Sequence, residues 1–135
     1  MKKFLILAVS AILSLSCFTA CNFNEAVIMA GVEIANADCP EDLGDGLTLT
    51  KVSYENHYIV YEASCSPFEY SMDDFRSGYS IVKNALLQEW RSNLRYDEDV
   101  KELFKAMKAE EVGIIYRYSI AGEGSIDVVL EYYEL

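Results

Sequence analysis

Histidine occurs once in this chain, no Cys-x-x-Cys is present, and basic residues are outnumbered two to one, 11 against 22 acidic. A single His57 and four scattered cysteines supply no zinc-ligand set, since structural and catalytic zinc sites draw on closely spaced pairs of Cys and His. A histidine in a tight turn is also poorly placed as a general base, which needs a second group to orient its ring. No Gly-x-Ser-x-Gly, His-Glu-x-x-His or phosphate-cradling glycine loop occurs. No catalytic residue, metal or cofactor is therefore indicated. The shortage of positive charge argues against a nucleic-acid partner, whose phosphates demand a basic surface, and against electrostatic docking on anionic lipid. It leaves room for a basic partner, or for a surface simply kept soluble by its own charge.

What is present begins with a leader. Met1-Lys2-Lys3 precedes an uncharged apolar run from Phe4, and the run ends in small residues by Ala20. A positive end, a short apolar stretch and a small-residue terminus describe a signal peptide over residues 1–20. The run is slightly short for a membrane span, although an uncleaved anchor is the alternative. Ser14-Leu15-Ser16-Cys17 and Phe18-Thr19-Ala20-Cys21 both place a small residue before a cysteine, as lipoprotein processing requires. Cys21 is preferred as the lipidation site, with Cys17 as the alternative, because lipid on Cys21 leaves an even pair of cysteines in the mature chain. Ordinary cleavage near Ala20 is the simpler option. Loss of Lys2 and Lys3 takes the net charge from −11 to −13. The implied location is the cell envelope, with the chain held to a membrane by its lipid and facing the periplasm or the outside.

The two remaining cysteines, Cys39 and Cys65, read as a disulfide in an oxidising compartment, worth roughly 3–4 kcal/mol on the chain-entropy model. Two separate buried thiols are the other reading.

The remaining chain fits one domain, and 52% hydrophobic with 24% charged residues is a globular composition. Residues 21–46 read as the lipid-attachment site, a short helix from about Glu25 to Ala35 and a loop, and residues 47–135 as an α+β domain. Leu47 to Glu55 and Tyr58 to Cys65 alternate as strands around Asn56-His57, a two-residue hairpin turn. Its register places Lys51 opposite Glu62, Val52 opposite Tyr61 and Tyr54 opposite Ile59, with Cys65 opposite Thr48. Val52, Tyr54, Ile59, Tyr61 and Ala63 then share the core face. Ser71 opens a helix whose apolar stripe runs Met72, Phe75, Tyr79, Val82, Leu86, Trp90. Asp97-Glu98-Asp99 opens another, with Val100, Leu103, Phe104 and Met107 inward and Lys101, Lys105 and Lys108 outward; Gly113 closes it. A second hairpin turns at Gly122-Glu123-Gly124 and pairs Tyr118 with Val128 and Tyr116 with Leu130. The order is ββααββ with a possible leading helix, and the expected architecture is a four-stranded, largely antiparallel sheet with two helices on one face.

The segments Asn36-Ala37-Asp38-Cys39-Pro40, Leu43-Gly44-Asp45-Gly46-Leu47-Thr48-Leu49-Thr50, Ile59-Val60-Tyr61 and Val112-Gly113-Ile114-Ile115-Tyr116-Arg117-Tyr118 resemble those of small secreted proteins of gut Bacteroidota. The resemblance implies export to the envelope and carries over no activity or catalytic residue.

Two surface features remain. Asp38, Glu41, Asp42 and Asp45 crowd one loop, where carboxylates can hold Ca2+ but more simply form a solvated acidic turn. Among ten tyrosines, Tyr58 and Tyr133 fall outside the core faces and, with Trp90 near a helix end, form a candidate aromatic surface for a protein or glycan. The functional expectation is a non-catalytic binding, accessory or inhibitory lipoprotein. The alternative is an envelope hydrolase working through a pair of carboxylates.

Overall fold

The computed structural model describes residues 23–135. The leader, Cys17 and Cys21 lie outside the described residues. In chain order the elements are α1 (Phe23–Ala37), β1 (Glu41–Gly44), β2 (Leu47–Glu55), β3 (Tyr58–Cys65), α2 (Met72–Ser77), α3 (Tyr79–Tyr96), α4 (Glu98–Ala109), β4 (Gly113–Ile120) and β5 (Gly124–Leu130), followed by a 3-10 turn at Tyr132–Glu134. No described helix is long and apolar enough to cross a membrane.

The fold is α+β, with a sheet of five strands in the order β1-β2-β3-β4-β5. Two features correct the four-stranded antiparallel expectation. Asp42-Leu43-Gly44 runs as a short edge strand against Thr48 and Leu47, made possible by a turn in which Gly44, Asp45 and Gly46 all have positive φ. The middle of the sheet is parallel: Tyr58 to Cys65 lie beside Gly113 to Ile120. Consecutive hairpins could have paired through either edge, and segment 66–112 is long enough to carry the chain back over the sheet in the same direction, as parallel neighbours require.

Within the first hairpin, Asn56 and His57 have φ of 50° and 65°, a type I′ geometry that matches the twist of the flanking strands. Lys51 faces Glu62, Val52 faces Tyr61 and Tyr54 faces Ile59, as the turn dictates. Farther from the turn the register steps by one, because Thr50 is bulged out between Leu49 and Lys51 and its hydroxyl donates to the Glu62 carbonyl at 3.0 Å. Cys65 consequently faces Leu47 and not Thr48. The bulge brings Leu47 and Leu49 onto the same buried face as Val52. Beyond the end of β1, the outer edge of β2 is served by α1: the Val52 N–H donates to Asn36 Oδ1 at 3.0 Å.

The expected first long helix is two. Ser71 Oγ accepts from the Asp74 N–H and starts α2, then Gly78 closes that turn and α3 begins at once. The apolar stripe passes through the break, with Met72, Phe75, Val82, Leu86 and Trp90 all buried. Asp97 caps α4 by accepting from the Asp99 and Val100 N–H groups. The end of α4 is made by Glu111 at φ 56°. Gly113 is already the first residue of β4.

One core cluster gathers Val27, Ile28 and Val32 of α1, the inward residues of the sheet and the stripes of α3 and α4. Residues 23–46 thus supply a helix and a strand to the same core. Its centre is aromatic: Tyr61 and Tyr116 stack at 5.0 Å, Phe75 and Tyr118 at 4.8 Å. The second hairpin turns two residues earlier along its far strand than expected, so Tyr118 faces Ile126 and Tyr116 faces Val128. The intended faces survive, because a shift of two preserves alternation. Tyr132 leaves the strand for the terminal turn, where Glu134 is held by Lys83 at 2.9 Å and by the Glu131 N–H at 2.8 Å.

No disulfide joins Cys39 and Cys65. The extra strand explains this correction. Cys39 leads into β1, Cys65 ends β3, and β2 lies between them. Two strand spacings come to about 10 Å, beyond the roughly 4.4–6.8 Å that a bridge tolerates between Cα atoms. The Cys39 thiol turns toward the Ala35 carbonyl at 3.6 Å, while Cys65 is packed in the core.

Candidate functional site

At one end of the sheet three pieces of backbone converge. The Asn56-His57 turn projects there, and the Gly113 N–H donates to the His57 carbonyl at 3.0 Å, tying the turn to the start of β4. Just before β4, the Val112 N–H returns to the Met107 carbonyl at 2.8 Å and finishes α4. The first turn of α1 meets the same place, with Asn24 Nδ2 donating to Glu110 Oε1 at 3.5 Å. Between these pieces lies an open recess of about 330 Å3, lined by Glu25, Tyr54, Asn56, His57 and Glu110.

The lining is polar and carries two carboxylates. The Tyr54 phenol is held above its ordinary ionisation range, by burial first and then by the charges of Glu25 and Glu110. It therefore stays a neutral hydroxyl beside two anions. Carboxylates, a phenol and a side-chain amide together suit a cationic donor, an ammonium or guanidinium with several N–H groups to place. The His57 imidazole lines the recess, and among the described residues it makes no hydrogen bond.

Sequence reasoning placed His57 in its turn but attached no site to it. Tyr54 is expected on the core face, Asn56 in the turn and Glu25 at the start of the first helix, and no site role falls to them or to Glu110; Tyr54 is only partly buried and lines the recess. These residues are spread from the first helix to the last, and nothing in local spacing announces that α1, a hairpin tip and the end of α4 meet.

The candidate aromatic surface is rearranged. Trp90 is buried, donating through Nε1 to the Tyr116 hydroxyl at 2.7 Å and packing on Phe104 at 5.1 Å. This corrects its assignment to the surface: as a member of the inward stripe of α3, it satisfies its N–H inside the core. Tyr58 lies on the open face of the sheet, its ring crossing Gly113 and its hydroxyl donating to both carboxylate oxygens of Glu131 at 3.0 Å. Tyr133 is exposed in the terminal turn against Tyr132. Around them the open face is ordered in rows. Lys51, Glu62, Arg117 and Asp127 are successive neighbours across four strands, and Arg117 grips Asp127 through two N–H groups at 2.9 and 3.2 Å.

In the acidic loop, Asp42 accepts from the Gly44 N–H at 2.9 Å. Among the described residues no group of three or more His, Cys, Asp or Glu is arranged to hold a metal ion.

No protein-family model and no curated protein matches the sequence. The fold is similar to that of a Pseudomonas aeruginosa protein, known from a crystal structure and provisionally described as secreted. The TM-score is 0.63 at 8% sequence identity, over 82% of this chain and 91% of that one. At that identity the similarity concerns the fold, an α+β arrangement spanning nearly the whole of the neighbour.

Proposed function

We propose that this chain is an exported lipoprotein, attached to an envelope membrane through Cys21, whose domain works as a non-catalytic binding or inhibitory module. The carrying observation is the recess between α1, the β2–β3 turn and α4, where Glu25 and Glu110 face one opening beside Tyr54 and His57. Its chemistry suits a lysine or arginine side chain presented by a partner protein. Export is supported by the leader and by the fold shared with a protein described as secreted. Glu25 and Glu110 are also the observation that favours the alternative of a carboxylate-pair hydrolase, but carboxylates together with a neutral phenol and a side-chain amide in an open recess suit capture of a cationic group better.

The recess is tested by crosslinking the full chain in its own membranes, comparing wild type with a Glu25→Gln, Glu110→Gln double variant. A partner captured by wild type and lost from the double variant supports the reading. Capture that is indifferent to both substitutions, or turnover of a glycan by wild type that the double variant lacks, overturns it. Anchoring is a separate matter: Cys21→Ala is expected to abolish membrane fractionation and palmitate labelling, and Cys17→Ala to leave both intact. The reverse pattern would assign the lipid to Cys17.

A further inference from the structure

Positive charge is scarce on this chain, yet three of its lysines stand together. Lys101, Lys105 and Lys108 project from α4 at spacings of four and three, so they fall within one narrow stripe of the helix. With Leu94 of α3 and Phe104 they line a shallow groove of about 360 Å3. Phe104 and Leu94 make an apolar floor under exposed ammonium groups. Lys101 is paired with Glu98, and among the described residues neither Lys105 nor Lys108 makes an ion pair. Glu102 lies to one side, about 100° around the helix from Lys101. At the corner between α3 and α4, Tyr96 is 86% exposed.

The position of this stripe relative to the proposed anchor matters more than its charge. Only Asn22 separates Cys21 from the start of α1 at Phe23. Two residue steps reach about 7 Å, so lipid on Cys21 would leave the domain almost no tether. The first turn of α1 touches the C-terminal end of α4 through Asn24 and Glu110. Lys108 is therefore the nearest of the three lysines to the anchor, and the stripe runs from it along α4 for about 10 Å.

We propose that the groove between α3 and α4 is the face this domain lays against the membrane, with Lys105 and Lys108 contacting the headgroups of anionic phospholipid and Leu94 and Phe104 beneath them. The proposal rests on anchoring at Cys21. An acidic domain in free solution is repelled by an anionic leaflet, but a short tether removes the choice of distance and leaves only the choice of face. Within about 8–10 Å, where charges are not yet screened, the lysine stripe is the surface that suits the leaflet.

The test couples the mature chain, carrying Cys39→Ser, through Cys21 to maleimide-bearing lipid in vesicles, so that the tether exists whatever the cell does to that cysteine. Vesicles of phosphatidylcholine alone are compared with vesicles holding about 30 mol % phosphatidylglycerol, and brief lysine acetylation is read by peptide mass spectrometry. Lys105 and Lys108 are expected to react at least about threefold more slowly on the anionic vesicles and to recover in about 0.5 M salt, while Lys51 on the open sheet face is unchanged. In a Lys105→Glu, Lys108→Glu variant the protection of Lys101 should vanish. Equal reactivity of Lys105 and Lys108 on both vesicles, or protection of Lys51 in their place, overturns the proposal. So does protection that appears only in native membranes, which would identify an acidic protein as the occupant. Palmitate labelling in cells independently decides whether Cys21 is the natural anchor.

Discussion

At the scale of single residues, Gly113 is tightly constrained within the sheet. A Cβ placed there would sit 2.6 Å from the Leu130 carbonyl and 2.8 Å from the Tyr58 ring. The missing side chain is what lets Tyr58 cross β4 and reach Glu131. Gly113→Ala is expected to destabilise the domain by about 1–3 kcal/mol, seen as a lower urea midpoint with an unchanged slope. A variant as stable as wild type would show that Tyr58 moves aside at no cost. The buried phenols give a second prediction. Burial is the leading reason that Tyr61, Tyr116 and Tyr118 are all held well above their ordinary ionisation range. Unfolded tyrosines lose their protons near pH 10, while these three keep theirs when folded. Above that pH the unfolded chain binds fewer protons, so stability falls as pH rises, and below it this contribution is fully present. Titration should therefore show tyrosinate absorbance from these residues arriving together with the loss of helical circular dichroism. Smooth ionisation of all ten tyrosines without unfolding would contradict the burial.

At the scale of elements, periodicity carried most of the information. Apolar residues at Met72, Phe75, Val82, Leu86 and Trp90 identify an inward helical face, and Ile114, Tyr116, Tyr118 and Ile120 an inward strand face, and all are buried. Where pattern was silent, the reading failed. Glu41 to Gly44 has too few apolar residues to announce a strand, and it exists because β2 offers an edge and the positive-φ turn returns the chain to it. The bulge left a trace that could have been used: Leu47 and Leu49 are in phase with each other but out of phase with Val52 and Tyr54. Deleting Thr50 would remove the bulge and join these runs into one uninterrupted alternation that keeps Leu47 and Leu49 on the buried face with Val52. That variant is expected to keep cooperative unfolding, and Thr50→Ala, which keeps the backbone count, should cost no more than about 1 kcal/mol. Loss of cooperativity after the deletion would mean that the sheet needs the bend that the bulge supplies. The recess was illegible for a different reason. Its members are ordinary surface residues until tertiary contacts bring α1 and α4 to the hairpin tip.

At the scale of the whole molecule, the parallel contact between β3 and β4 has a consequence for how the chain acquires its structure. Each hairpin is local and can form early, but they become neighbours only after segment 66–112 has wrapped its three helices around the core. Long-range closure of that kind is slow compared with hairpin formation. Until it happens, β3 and β4 each expose a bare inner edge, and that of β3 includes Val60, which is 1% exposed in the finished sheet. Two unsatisfied edges of similar alternation on every unfinished molecule invite pairing between molecules. Refolding yield should accordingly fall with protein concentration while the unfolding rate stays constant, as followed by light scattering beside fluorescence. A newly exported chain would then depend on dilution, or on a companion that occupies those edges, for the interval in which its middle is still open.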